Sequence, residues 1–137
     1  MFEQDYLMRM IFQLMNALRR SMDRAGGEED PEGAARLLDT ALGDATDLDG
    51  AALLSLAPES LAGVLQVSGI DPHITEYLAR SLWLSARYYG DAGNTALAEL
   101  RAQQAEAVAA AYGHDLTAED ASDEALEQLL TASNGEA

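Results

Sequence analysis

Apolar residues recur at helical spacing along the start of the chain. Leu7, Ile11, Leu14 and Leu18 are four, three and four positions apart, which at about 100° per residue puts them on one line of a helix. Met8, Met15 and Met22 repeat every seventh residue along the flank of that line, with Met10 on its other side. Asp5, Arg9, Asn16, Arg19, Arg20 and Asp23 occupy the opposite face. The pattern predicts an amphipathic helix over residues 1–24 with a wide apolar arc. Gly26 and Gly27 end it, and the arginines of its last turn favour the negative end of the helix dipole.

Residues 25–33, AGGEEDPEG, read as a linker, followed by a helical domain over 31–131. Asp30 is placed to cap the next helix and Pro31 to sit in its first turn. That helix sets Ala34, Leu37, Leu38, Ala41 and Leu42 to one side, and GDATDLDG (43–50) follows as a loop. Residues 51–69 read as two short helices parted near Pro58, which starts a helix more readily than it continues one. Asp71-Pro72 repeats the cap-then-proline start. Beyond it, Ile74, Leu78, Leu82, Ser85 and Tyr89 form one line and Tyr77, Leu84 and Tyr88 a neighbouring one, with Trp83 extending the arc. A helix with two adjoining apolar lines is contacted from two sides, so this one is expected at the centre. After the turn GDAGN (90–94), a helix from Thr95 to Tyr112 carries Leu97, Leu100 and Val108 beside a small-residue stripe of Ala98, Ala102, Ala105 and Ala109. A short connection makes two such helices antiparallel neighbours. Thr117 is expected to cap a last helix to about Leu130, anchored by Leu126, Leu129 and Leu130, and residues 132–137 to fray as a tail.

These elements predict an all-α fold of about six to seven helices. The abundance of Ala and Leu, with three prolines and few aromatics, agrees. At 137 residues the chain has the length of one domain. The helical hairpin around the Gly-Asn turn, with Ala86, Tyr89, Gly93 and Ala98 at its small, aromatic, glycine and alanine positions, resembles a tetratricopeptide (TPR) unit. EGAARLLDTAL resembles the second helix of another. The proline that closes that repeat is missing, and Ala102 and Ala105 stand where one position is usually larger. The resemblance implies a right-handed stack of antiparallel helical hairpins. MFEQDYLMRMI, residues 1–11, is similar to the opening of a bacterial family of unassigned function, whose members begin Phe-Glu-Gln-Asp-Tyr, an aliphatic residue, Met and Arg. That likeness implies a cytoplasmic, TPR-like helical protein and brings no active site.

Charge narrows the partners. The net charge is −16, yet residues 1–24 carry +1 and the remaining 113 carry −17. Such an acidic body repels nucleic-acid phosphates and anionic lipid, so no nucleic-acid partner is expected. There is no cysteine, which excludes thiolate nucleophiles, Cys-ligated zinc and disulfides, and fits a cytoplasmic protein. All eight basic residues are arginine, so P-loop and Schiff-base lysines are excluded too.

Candidate chemistry is sparse. His73 and Glu76 stand three apart on a helix, but two ligands do not make a metal site, and His114 follows the helix-ending Gly113. DATDLDG (44–50) echoes a calcium loop, yet with Gly50 at its sixth position the first is Ala45 and the twelfth Leu56. No nucleophile elbow, phosphate loop or zincin motif occurs. No catalytic residue, metal or cofactor is therefore assigned. Tyr77, Trp83, Tyr88 and Tyr89 cluster on one helix, either as core or as the lining of a groove. The arc of Leu7, Met8, Ile11, Leu14, Met15, Leu18 and Met22 is too interrupted by polar residues for a signal peptide or a membrane span. It faces either the chain's own body or a second copy. The expectation is a non-enzymatic interaction module, homodimeric through this helix, whose acidic groove takes a basic protein or peptide. The alternatives are a ligand pocket between helices, and peripheral membrane attachment through the first helix.

Overall fold

A computed structural model describes residues 2–135, and side chains over 4–132. The described residues are all-α, with no strand. In order they form α1 (Phe2–Gly26), α2 (Pro31–Thr46), α3 (Gly50–Leu54), α4 (Pro58–Val67), α5 (Pro72–Asp91), α6 (Thr95–Ala111), a 3-10 turn (Ala118–Ala121) and α7 (Asp123–Gly135).

Each start has a local cause. Asp30, Asp49, Asp71 and Asn94 accept a bond from a backbone N–H in the first turn of α2, α3, α5 and α6, satisfying donors that a helix start leaves open. Pro31, Pro58 and Pro72 stand at first helical positions, where no N–H is needed. Gly69, Gly93 and Gly113 follow helix ends in the left-handed conformation.

Four boundaries differ from those the pattern predicts. α1 runs through Gly26, shortening the linker to residues 27–30. α2 continues through Thr46, across part of the expected loop, because Gly43 lies against Gly50 and lets the two backbones meet. Thr117 caps only the 3-10 turn: Asp120 closes a capping box with it, and the extended backbone of Ser122 breaks the helix. The Ser122 hydroxyl then accepts from Ala125 N at the start of α7. α7 reaches Gly135, so the expected tail keeps helical backbone that far, and residues 136–137 lie outside the described residues.

α5 is central. It packs on α1, α2, α6 and the 3-10 turn, which accounts for its two apolar lines. Leu78, Leu82, Leu84, Trp83, Tyr88 and Tyr89 are all buried along it. α1 lies along α2 and closes the other side with Leu14 and Leu18. α4 packs on α6 with Leu61 and Leu65, α3 on α2, and α7 lies against α1 with Leu126 inside the core.

A Cβ on Gly43 would lie 2.8 Å from Gly50 Cα, whereas one on Gly63, within α4, meets nothing within 4 Å. Gly43→Ala should therefore destabilise by about 1–3 kcal/mol through backbone overlap. Gly63→Ala should stabilise by roughly 0.5–1 kcal/mol, since only the helix-propensity gain operates there. Urea unfolding of the two variants checks the opposite signs.

Candidate functional site

The expected interface residues divide. Leu14, Met15 and Leu18 are buried, and Leu7, Ile11 and Met22 are partly buried against the core. These six pack on the chain's own body. Met8 does not: it stays 44% exposed, and its neighbour one turn on, Phe12, is 58% exposed. The two line a shallow groove along the outer face of α1 with Asp5, Arg9, Gln13 and Asn16. Tyr6 is exposed as well, and from Gln4 to Arg9 only Leu7 is not exposed. Through these first turns Leu7 and Met10 reach the core while the other described side chains face solvent. Arg9 and Arg20 make no hydrogen bond or ion pair among the described residues. Arg24 instead binds Asp30 at 3.0 Å, and the Gly33 N–H and that guanidinium hold the Asp30 carboxyl below its ordinary pKa.

The aromatic cluster does not line one groove. Trp83, Tyr88 and Tyr89 are buried and Tyr77 is half-buried. The Tyr89 hydroxyl donates to Asp39 Oδ2 at 2.6 Å, anchoring it inside. Trp83 alone borders an apolar cleft, beside Ala98 and Ala102 of α6.

A connected, buried polar network surrounds that tyrosine contact. Arg101 is 5% exposed. Its Nε donates to Asp39 Oδ1 at 3.2 Å and its Nη2 to Asp39 Oδ2 at 3.1 Å, a two-pronged pair. Nη1 donates to Leu54 O and to Gln104 Oε1. Gln104 Nε2 donates to Leu54 O and Leu56 O, and Ser85 Oγ to Asp39 Oδ1. The Arg101 guanidinium also stands 5.7 Å from the Tyr89 ring centre. One carboxylate thus accepts four bonds from α5 and α6. The sequence carries a signal for this set. Arg101 and Gln104 fall on the same helical line as Leu97 and Val108, an apolar face where unpaired polar groups are costly.

Two clefts of ligand size border α2. One, of about 870 Å³, lies between α1 and α2 and is edged by Arg20, Arg24 and Arg36. The other, of about 730 Å³, lies between α2, α3 and α6 over Asp39 and Arg101. Both ions at its floor already hold protein partners. His73 pairs with Asp71 at 2.9 Å and His114 with Thr75 at 2.9 Å. No group of three His, Asp or Glu able to hold a metal occurs among the described residues. No helix there is long and apolar enough to cross a membrane.

No protein-family model, curated protein or solved structure matches the chain. The site itself therefore carries the functional reading.

Two predictions concern the buried network. Arg101→Met should cost about 3–5 kcal/mol, because it leaves the Asp39 charge in the core without its counter-ion. Asp39→Leu combined with Arg101→Met should cost less than Arg101→Met alone, measured as a double-mutant cycle in urea. Burial, and then the Asp39 carboxylate that accepts its proton, push the Tyr89 hydroxyl up to about 12 from 10.0. The folded chain holds that proton more tightly, so this contribution is complete below pH 10.0 and declines as the pH rises to about 12. Tyr89→Phe should lower stability by about 1.5–3 kcal/mol at neutral pH. It should also flatten the fall in stability across that alkaline window, as read by unfolding at stepped pH.

Proposed function

We propose that this chain is a non-enzymatic helical interaction module whose docking surface is the outer face of α1. The reading rests on one observation: Met8 and Phe12 stay exposed on a helix whose other side is already core. Folding neither needs these side chains there nor covers them. Aromatic residues, Met and Arg are the types enriched at protein interfaces, and Arg9 and Arg20 flank the pair without partners among the described residues. Val64 and Val67 of α4 are also exposed, but no aromatic or cation stands with them on that helix.

The α5–α6 hairpin supports a TPR-like reading of the scaffold, with α1 as an added helix that presents the surface. A protein surface fits the strip better than a bilayer does, since the chain carries −16 and α1 has no tryptophan to seat at the headgroups. The saturated bonding of Asp39 and Arg101 supports a structural role for them over a catalytic one. The basic peptide expected of an acidic groove is replaced in this reading, because the exposed strip itself carries free cations.

A photo-reactive amino acid at position 12, irradiated in cells, should give adducts larger than the chain, and the same probe at Ser60 of α4 should give none. Equal yields from the two positions, or no adduct at position 12, would remove the docking surface.

A further inference from the structure

Resting on that docking surface, we infer that its occupant is a second copy of this chain, paired antiparallel about a two-fold axis that passes near Phe12. α1 is 25 residues long, about 37 Å at the usual helical rise. Its outer strip stays exposed at Asp5, Met8, Arg9, Phe12, Asn16, Arg20 and Asp23, so a partner helix can lie along most of its length.

The order of charges along that strip selects the arrangement. Asp5 lies seven residues before Phe12 and Arg20 eight residues after it. A two-fold axis near Phe12 therefore brings Asp5 of each copy beside Arg20 of the other, and Met8 of each against Asn16 of the other. Phe12 meets its own symmetry mate, as a self-complementary contact requires. Parallel pairing would instead set Asp5 against Asp5 and Arg9 against Arg9, which repel. Among the described residues, Asp5, Arg9 and Arg20 have no ion-pair partner within their own chain.

Charge also argues for α1 as the place where two copies meet. Each copy is −16, and residues 25–137 account for −17 of it. Only the first helix carries a small basic excess, so two copies approach through it with the least repulsion.

The absence of cysteine makes the geometry readable with single introduced thiols. Wild-type protein should show twice the chain mass by light scattering at micromolar concentration. Phe12→Asp should be monomeric yet fully folded, with a melting temperature that no longer rises with protein concentration as the wild type's does, because that side chain faces solvent in the single chain. Met8→Cys and Asn16→Cys proteins, mixed and mildly oxidised, should form a disulfide-linked pair, and neither should do so alone. Asp5→Arg should weaken association by about tenfold, and adding Arg20→Asp should restore it. A wild-type monomer, or ready self-linking of Met8→Cys alone, would overturn the inference. A monomer that still gives position-12 adducts with a different protein in cells would overturn the second copy as occupant while leaving the docking surface in place.

Discussion

A carboxylate and a guanidinium brought out of water lose hydration worth several kcal/mol each, and only close geometry with full hydrogen bonding repays it. Asp39 and Arg101 meet that demand. The two-pronged pair is joined by the Ser85 and Tyr89 hydroxyls on the carboxylate, and by Leu54 O and Gln104 on the guanidinium. The set ties together α2, α5, α6 and the end of α3. Apolar contacts alone let helices slide past one another at small cost, because Leu against Leu is nearly the same one turn away. A carboxylate that must receive four donors from two helices fixes the register of all three.

The same network explains why α3 exists at all. A five-residue helix is far below the length that holds itself together in water, and its last carbonyls have no partners within it. Arg101 and Gln104 supply donors to Leu54 O and Leu56 O at that end, while Asp49 caps the other. Gly43 and Gly50 let α2 and α3 come close enough for α6 to reach across. The small-residue contact and the buried ion pair therefore depend on each other. A side chain at position 43 would push away the carbonyls that Arg101 needs.

How much of this was legible in the sequence varies with range. Caps and prolines place the starts of α2, α4 and α5, and the GDAGN turn that of α6, because those signals act within one turn. The central position of α5 followed from its two apolar lines, and the all-α class from periodicity. What failed depended on contacts between distant segments. The end of α2 reads as loop because Gly43 looks like a helix stop until Gly50 is seen against it. Thr117 was recognised as a cap, but its helix is a single turn because Asp120 and Ser122 intervene. Arg101 and Gln104 sit visibly on an apolar line, yet sequence alone cannot say that Asp39, some sixty residues earlier, is their partner. The pattern therefore leaves Tyr89 between core and groove, and only the position of Asp39 fixes its hydroxyl.

The methionine heptad shows where periodicity runs out. Met8 and Met15 are equivalent by helical phase, yet Met15 is buried and Met8 is not. The difference is not one of position along the helix alone, since Leu7 and Met10 on either side of Met8 still reach the core. Phase predicts which way a side chain points and says nothing of whether the neighbour reaches that far. Phe12 differs in kind, because it lies off the apolar lines, among Arg9, Gln13 and Asn16 on the solvent side. Every local rule for that face favours a polar residue, and Arg9, Gln13 and Asn16 obey it, whereas Met8, one turn before, does not. Where a sequence breaks a polar pattern at positions that add nothing to its own core, we read the constraint as coming from outside the fold. On that ground our proposal places function on the outer strip of α1 rather than in the fully bonded polar cluster inside.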